Sequence, residues 1–295
     1  MSHHVMQPGA LASRQRCSRR AFGHPRISLP QGLRGRLGLL PDFVIVGVQR
    51  GGTSSLYKYL IDHPCVGAAA MKEVHFFDLC YEKGTDWYRA QFPSRLDRFM
   101  ARRLRRAHVV TGEASPYYLF HPHAVRRIQT LLPQAKLIVL PRNPVDRAYS
   151  HYHHELKKGR EPLPFEQAID AEPARLAGEL DRMMIDESYQ SLVYQRCSYL
   201  ARGRYVEQLE RLEMYFPKAQ ILVVKSEDLF RHPDATFRRV TGFLGVPPVE
   251  PPSFAAFNVG RYTTMDSRLR ARLVEYFQPL NERLYAHLDT DYEWD

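Results

Sequence analysis

Short apolar runs alternate with amphipathic stretches along most of the chain. Four runs are predicted to be β-strands because each is brief, apolar and rich in β-branched residues. These runs are 43–46, 108–110, 136–140 and 221–224. Such runs are typical of buried strands in a parallel sheet that helices cover on both faces.

The stretches that follow the runs predict helices, because their apolar residues recur every three or four positions. The best-marked helix begins after Asn143, a favoured N-cap residue, with Pro144 at its first position and Gly159 at its end. Other helices are expected at about 53–63, 122–132, 199–215, 234–244 and 266–288.

Alternating strands and helices predict one α/β domain over residues 42–295, with a central parallel sheet flanked by helices. Residues 1–41 are rich in Arg, Pro and Gly and show no apolar periodicity. We expect them to form a flexible N-terminal extension.

The net charge of +10 is unevenly distributed along the chain. The extension holds seven arginines and no Asp, Glu or Lys, which leaves only +3 for the predicted domain. The basic balance is therefore weak evidence for nucleic-acid binding by that domain, and no nucleic-acid partner is expected.

Cysteine usage and hydropathy bear on the compartment. The four cysteines are scattered without a CxxC pair, which favours thiols in a reducing compartment over a disulfide framework or a metal site. No apolar run is long enough for a transmembrane segment, and the extension lacks the apolar core of a secretory signal. We expect a cytoplasmic, bacterial-type enzyme; an organelle transit peptide is the alternative for the extension. The sequence does not indicate an oligomeric state.

A glycine-rich loop, Gly47 to Ser55, joins the first predicted strand to the first predicted helix. Such a loop lets backbone N–H groups converge on an anion at a helix N-terminus. Thr53 occupies the position where a P-loop of the form GxxxxGK[ST] has lysine. The alternative is a tight turn that only connects strand and helix. The predicted phosphate contacts are Arg50, Gly51, Gly52, Thr53, Ser54 and Ser55.

A second candidate phosphate site follows the strand at 136–140. Arg142 is predicted at the carboxyl end of this strand, where open α/β sheets bind ligands, and Ser150 lies two turns into the next helix. A phosphate between them would receive a guanidinium fork and a hydroxyl donor. The alternative is a surface arginine and an exposed serine.

These two segments resemble the 5′-phosphosulfate loop and the 3′-phosphate motif of sulfotransferases that use 3′-phosphoadenosine-5′-phosphosulfate (PAPS). The most similar branch comprises the heparan sulfate glucosaminyl 3-O- and N-sulfotransferases, together with stand-alone bacterial enzymes of the same fold. The resemblance runs from residue 42 to the C-terminus and includes several motifs in the same order. They are 72–78, 83–88, 112–118, 203–205 and 292–295.

The resemblance implies a P-loop-like sulfotransferase fold, PAPS as donor, 3′,5′-ADP (PAP) as product and no metal. It makes Glu73 the general base, and partial burial is expected to raise its pKa toward neutrality. His75 would orient the acceptor or contact the sulfuryl group, and Arg50, at a position where the family has lysine, would neutralise the leaving phosphate. If the resemblance is set aside, the sequence is equally consistent with Glu73 and His75 as a solvent-exposed pair that has no catalytic role.

Further contacts carried over by the resemblance are Lys72, Asp78 and Glu113 for the substrate and Gly260 and Arg261 for the donor. Ala114 departs from the heparan 3-O-enzymes, which have lysine there. Tyr205 matches a position near the nucleotide, or else packs within a helix. The paired aromatic residues at 76–77, 87–88 and 117–118 suit sugar stacking, but most are expected in the core.

The predicted function is sulfuryl transfer from PAPS to a hydroxyl of a carbohydrate or glycosylated small molecule. One alternative is a P-loop-type nucleotide kinase or NTPase using ATP–Mg. It lacks GK[ST], and no aspartate ends the strand at 136–140. The other alternative is a non-catalytic anion- or RNA-binding module that uses the basic extension.

Overall fold

The computed structural model describes residues 20–21, 24–25, 31–250 and 263–294. In this part of the chain, five parallel strands form one sheet in the order β2-β3-β1-β4-β5, so the first strand is central. The strands are β1 (Phe43–Gly47), β2 (Val66–Ala68), β3 (Val110–Ala114), β4 (Lys136–Val139) and β5 (Ile221–Val223). A separate antiparallel pair joins Arg20–Ala21 to His24–Pro25.

The same residues form fourteen α-helices, most of which pack around the sheet. They are α1 (Gln31–Leu37), α2 (Thr53–Ile61), α3 (Gly84–Arg89), α4 (Arg95–Arg105), α5 (Ala124–Leu131), α6 (Pro144–Lys157), α7 (Phe165–Asp170), α8 (Glu172–Leu176), α9 (Glu179–Ile185), α10 (Leu192–Arg196), α11 (Tyr205–Glu213), α12 (Ser226–Arg231), α13 (Pro233–Leu244) and α14 (Ser267–Leu288). The predicted fold class, an α/β domain with a central parallel sheet, is confirmed.

Alternating residues of β1 serve two apolar layers, as the two-residue period of a strand requires. Val44 and Val46 pack with residues of α5, α11 and α14 on one face. Phe43 and Ile45 pack with residues of α2 and α13 on the other. All five residues of β1 are buried, which explains why this strand has no polar position.

The first helix lies within the stretch expected to be flexible. Leu39 donates its N–H to the Pro93 carbonyl at 2.9 Å, and Gly38 bridges to Ser94. Gly35 lies so close to Asp86 that a Cβ there would be 2.9 Å from its carbonyl oxygen. Packed structure therefore begins before residue 42.

None of the helices in the described ranges is both long and apolar enough to span a membrane.

Candidate active site

A cleft of about 1030 Å³ opens at the carboxyl ends of the central strands β1 and β4. This is where open parallel sheets bind ligands. Its lining is rich in cations, which favours anionic ligands. The basic residues are Arg50, Arg142, Lys157, Lys158, Arg160, Arg196, Arg202 and Arg231, and the acidic ones are Glu73, Asp146, Glu155 and Glu227.

The glycine-rich loop forms one wall of the cleft. Gly51 must be glycine, because a Cβ would lie 2.2 Å from the Leu140 carbonyl oxygen. Gly52 adopts a left-handed φ of 90° at the N-cap of α2 and has no side chain with which to cap the helix. The first turn of α2 thus leaves backbone N–H groups for an anion. The predicted residues Arg50, Gly52, Thr53 and Ser54 line the cleft.

Side-chain contacts join the two predicted phosphate segments. Arg50 donates from Nε to Ser150 Oγ at 2.9 Å, and Arg142 donates from Nη1 to the Arg50 carbonyl at 3.2 Å. Tyr205 is buried and donates its hydroxyl to the Arg142 carbonyl at 2.8 Å. Tyr205 therefore acts at this site by holding the backbone of Arg142.

The N-cap of α6 is built as the sequence predicted. Asn143 Oδ1 accepts hydrogen bonds from Val145 N at 3.0 Å and from Asp146 N at 3.3 Å. Asn143 N donates to Glu227 Oε1 at 2.9 Å, which ties the start of α6 to α12. This anchoring sets the direction of the helix that carries Ser150 into the cleft.

Glu73, His75 and Asp78 form a connected chain on the segment after β2. Glu73 is paired with Lys72 through one oxygen, and His75 Nε2 lies 3.3 Å from the other. His75 Nδ1 lies 2.8 Å from Asp78 Oδ2, and the Asp78 carboxylate is fully shielded from solvent. Glu73 and His75 line the cleft, so the structure brings them to the predicted phosphate segments.

These contacts set opposite charges on the two cleft residues. Burial alone would raise the pKa of Glu73, but the hydrogen bond from His75 and the charge of Lys72 lower it to about 2. Burial alone would lower the pKa of His75, but Asp78 and Glu73 raise it to about 10. The expectation that burial raises the pKa of Glu73 toward neutrality is therefore wrong. At neutral pH the site holds a carboxylate and an imidazolium.

Two predicted substrate contacts lie beneath the cleft. Glu113 has no exposed surface, and its carboxylate accepts bonds from Tyr88, Tyr118, Ser115 and the amide of Val74. Asp78 is likewise buried against His75 and the Leu79 amide. Neither residue is part of the cleft lining, because each carboxylate is used to hold the segment that carries Glu73 and His75.

Glu113→Gln is expected to change the pH dependence of stability. Burial raises the pKa of Glu113 to about 7 from 4.5, so the native state takes up a proton in this interval. Ionisation therefore removes up to about 3 kcal/mol from the free energy of unfolding as the pH rises through the interval. Denaturant unfolding at several pH values should show this fall in the wild type and not in the variant.

The exposed Glu207→Gln variant on α11 is the matched control, and it should keep the wild-type pH dependence. Parallel stability curves for the wild type and Glu113→Gln would contradict the assignment of this titration to Glu113.

The remaining predicted residues have different positions. Ser55 is fully buried and hydrogen-bonded to Tyr59, so its side chain is turned to the core and away from the cleft. Gly51 shapes the turn, and Lys72 contributes through its pair with Glu73. Gly260 and Arg261 lie outside the described residues.

Several cleft residues were not found by sequence reasoning. Arg202 is buried, donates to Gln49 Oε1 at 2.8 Å and lies over the Tyr117 ring at 4.6 Å. Phe230 is half exposed beside Gly52 and offers an apolar surface. No motif marks these side chains, because α12 and the turn before α11 reach the cleft only through tertiary packing.

The parallel sheet, the strand-to-helix loop and the cationic cleft together define a P-loop-like α/β fold with an anion-binding cleft. Residues 40–254 match the model of the sulfotransferase domain. The chain therefore belongs to the PAPS-dependent sulfotransferase family. This assignment does not favour the kinase or NTPase alternative.

Individual relatives agree with the family. Heparan sulfate glucosamine 3-O-sulfotransferase 6 of Homo sapiens is 32% identical over an alignment of 278 positions including gaps, which covers 86% of this chain and 73% of the relative. The membrane-associated sulfotransferase kil1 of Dictyostelium discoideum is 25% identical over an alignment of 346 positions including gaps, which covers 95% of this chain and 72% of the relative. A crystal structure of a sulfotransferase from Alicyclobacillus acidocaldarius is 33% identical, with a TM-score of 0.62, and covers 86% of this chain and 97% of that one.

Proposed function

We propose that this sulfotransferase moves a sulfuryl group from PAPS to a hydroxyl of a carbohydrate or glycosylated small molecule, with Glu73 as general base. The observation that carries the proposal is the meeting of three features in one cleft. These are the helix N-terminus at Gly52, the linked side chains of Arg50 and Ser150, and the ionised Glu73 beside a protonated His75.

The donor set suits a nucleotide with two separate anionic groups. The loop and first turn of α2 offer backbone N–H groups with the hydroxyls of Thr53 and Ser54 for the 5′-phosphosulfate. Arg142 and Ser150 supply a guanidinium and a hydroxyl for the 3′-phosphate. Phe230 is placed to pack against an aromatic base.

Transfer requires one proton acceptor and two places for negative charge. Glu73 takes the proton of the acceptor hydroxyl, and the hydroxyl oxygen forms a bond to the sulfur of PAPS. At the same time the bond between sulfur and the bridging phosphate oxygen breaks, which releases 3′,5′-ADP. The imidazolium of His75, fixed by Asp78, stabilises charge on the sulfuryl oxygens. Arg50 neutralises the departing phosphate, although its guanidinium spreads charge more widely than a lysine would.

A carbohydrate acceptor is supported by the named activity of the heparan sulfate relatives. The aromatic pairs add little to this argument. Phe76, Phe77, Tyr88 and Tyr118 are all buried, so the expectation that most of these aromatics serve the core is confirmed.

We keep the cytoplasm as the proposed compartment. The described cysteines Cys65, Cys80 and Cys197 are free thiols, as suits a reducing environment. Fractionation of the producing cells would test this placement.

Calorimetric titration with 3′,5′-ADP, AMP and ATP–Mg tests the donor assignment directly. We expect 3′,5′-ADP to bind at least about tenfold more tightly than AMP, because only the former engages Arg142 with a charged phosphate. Chelation of metal should leave this affinity unchanged. Preference for ATP–Mg with indifference to the 3′-phosphate would instead indicate a nucleotide kinase.

A further inference from the structure

Helix α4 presents an apolar stripe to solvent. Leu96, Phe99, Met100 and Leu104 are 51%, 58%, 41% and 65% exposed. Their spacing of three, one and four residues places them on one side of the helix. The helix buries only Asp97 and Ala101, so the core does not use this stripe.

Arginines flank the stripe. Arg95 and Arg102 are seven residues apart, which aligns them beside Phe99, and Arg103 lies among the apolar residues. Arg106 follows as the C-terminal cap residue of the helix. Within the described part of the chain, no carboxylate lies at ion-pair distance from these four guanidinium groups. The surface therefore combines unneutralised positive charge with apolar area; we call it the α4 face.

The α4 face is rigidly mounted. Ser94 Oγ accepts from Asp97 N at 3.1 Å while Asp97 Oδ2 accepts from Ser94 N at 2.7 Å, which forms a capping box. Arg98 is paired with Asp42, and Ala101 packs against the sheet. The helix is thus fixed without any contribution from the exposed side chains.

We propose that the α4 face docks the enzyme onto an anionic lipid bilayer. An amphipathic helix lying in the interface places apolar side chains at the acyl boundary and arginines against lipid phosphates. The four apolar side chains and the flanking guanidinium groups supply both parts. This inference is independent of the proposed sulfuryl transfer, because α4 contributes no residue to the cleft.

Other occupants fit less well. A nucleic-acid backbone would pair with the arginines but has no use for four exposed apolar side chains. A second copy of the chain would bring two sets of like-charged arginines together, which opposes symmetric pairing. An acidic protein would satisfy the charge, and binding experiments with pure lipid separate that case.

Vesicle sedimentation with the full chain tests the proposal. The wild type should bind phosphatidylcholine vesicles that contain phosphatidylserine, bind pure phosphatidylcholine vesicles weakly, and dissociate as salt is raised. The triple variant Leu96→Gln/Phe99→Gln/Leu104→Gln should lower the ratio of bound to free protein about tenfold or more. Arg95→Gln/Arg102→Gln/Arg103→Gln should do the same.

The matched control is Leu180→Gln/Met184→Gln/Ile185→Gln, which removes three comparably exposed apolar side chains from α9. It should bind vesicles like the wild type, and all variants should bind 3′,5′-ADP equally if they are folded. If both α4 variants still bind vesicles, other arginines cause the attraction and the proposal is overturned. The proposal is also overturned if the wild type does not bind anionic vesicles, or if the wild type is a dimer that the α4 variants dissociate.

Discussion

Glu73→Gln should slow sulfuryl transfer about 10²–10⁴-fold, the usual effect of removing a general base. Glutamine keeps the shape of the side chain but cannot accept the acceptor's proton. The affinity for 3′,5′-ADP should change little, since Glu73 belongs to the acceptor side of the cleft and is paired with Lys72 and His75. Single-turnover transfer and calorimetry on the same preparation measure the two effects.

The neighbouring histidine is a poor substitute for the base. Glu73 helps to raise the pKa of His75, but the hydrogen bond and the charge of Asp78 remain in Glu73→Gln. They still favour the protonated imidazole, which has no lone pair to offer. Near-normal transfer by Glu73→Gln would mean that Glu73 is not the general base and would move that role to His75 or another group. Asp146→Asn is the control, because it removes a carboxylate of the same cleft that is paired with Arg270 and lies on α6, not on the segment of Glu73 and His75.

A pKa of about 2 makes Glu73 a weak base in the resting site. Sulfuryl transfer tolerates this, because the acceptor oxygen becomes strongly acidic as its bond to sulfur forms. The low pKa keeps Glu73 ionised throughout the neutral range. The disadvantage is a smaller driving force for proton transfer early in the reaction. An acceptor that displaces the contacts of Glu73 with Lys72 and His75 raises the pKa of Glu73 and offsets this loss.

The sequence predicts those strands whose residues are all or nearly all apolar. β1, β4 and β5 lie within one residue of the expected runs, since each gives an apolar signal with at most one polar residue at its start. β3 was predicted at 108–110 but spans Val110–Ala114. The apolar pattern ends early because the strand includes the polar residue Glu113, although this residue is buried. β2 was missed because its three residues include a glycine and an alanine at the sheet edge.

Helix ends depend more on tertiary contacts. The expected helix at 199–215 is interrupted, with a 3₁₀ turn at Ala201–Gly203 before α11. Gly203 lies against Phe277, where a Cβ would come within 2.6 Å of the ring. That close approach cannot be read from local periodicity. The start of α6 could be read, because the Asn143–Pro144 cap is a purely local device.

For the candidate site, sequence patterns located the backbone better than the side chains. The loop at 47–55 and the pair Arg142 and Ser150 do meet, because both follow adjacent parallel strands. The burial of Glu113 and the inward turn of Ser55 depend on neighbours far along the chain, so a motif match could not reveal them.

Arg142→Ala should weaken binding of 3′,5′-ADP about 10- to 100-fold and binding of AMP less than about threefold. Arg142 donates one hydrogen bond to the Arg50 carbonyl, and its guanidinium lines the cleft with further donors for a phosphate. AMP lacks the 3′-phosphate, so its binding is weakened only by the loss of the hydrogen bond with which Arg142 supports the loop at Arg50. Calorimetry with both nucleotides measures the difference.

The contrast between the two nucleotides distinguishes a local phosphate contact from the general positive potential of the cleft. Lys157→Ala removes one cation from the cleft lining two turns beyond Ser150 on α6, and should weaken both nucleotides by a similar, small factor. If Arg142→Ala behaved in the same way, with equal losses for 3′,5′-ADP and AMP, Arg142 would only support the phosphosulfate loop. The 3′-phosphate would then have to bind elsewhere in the cleft.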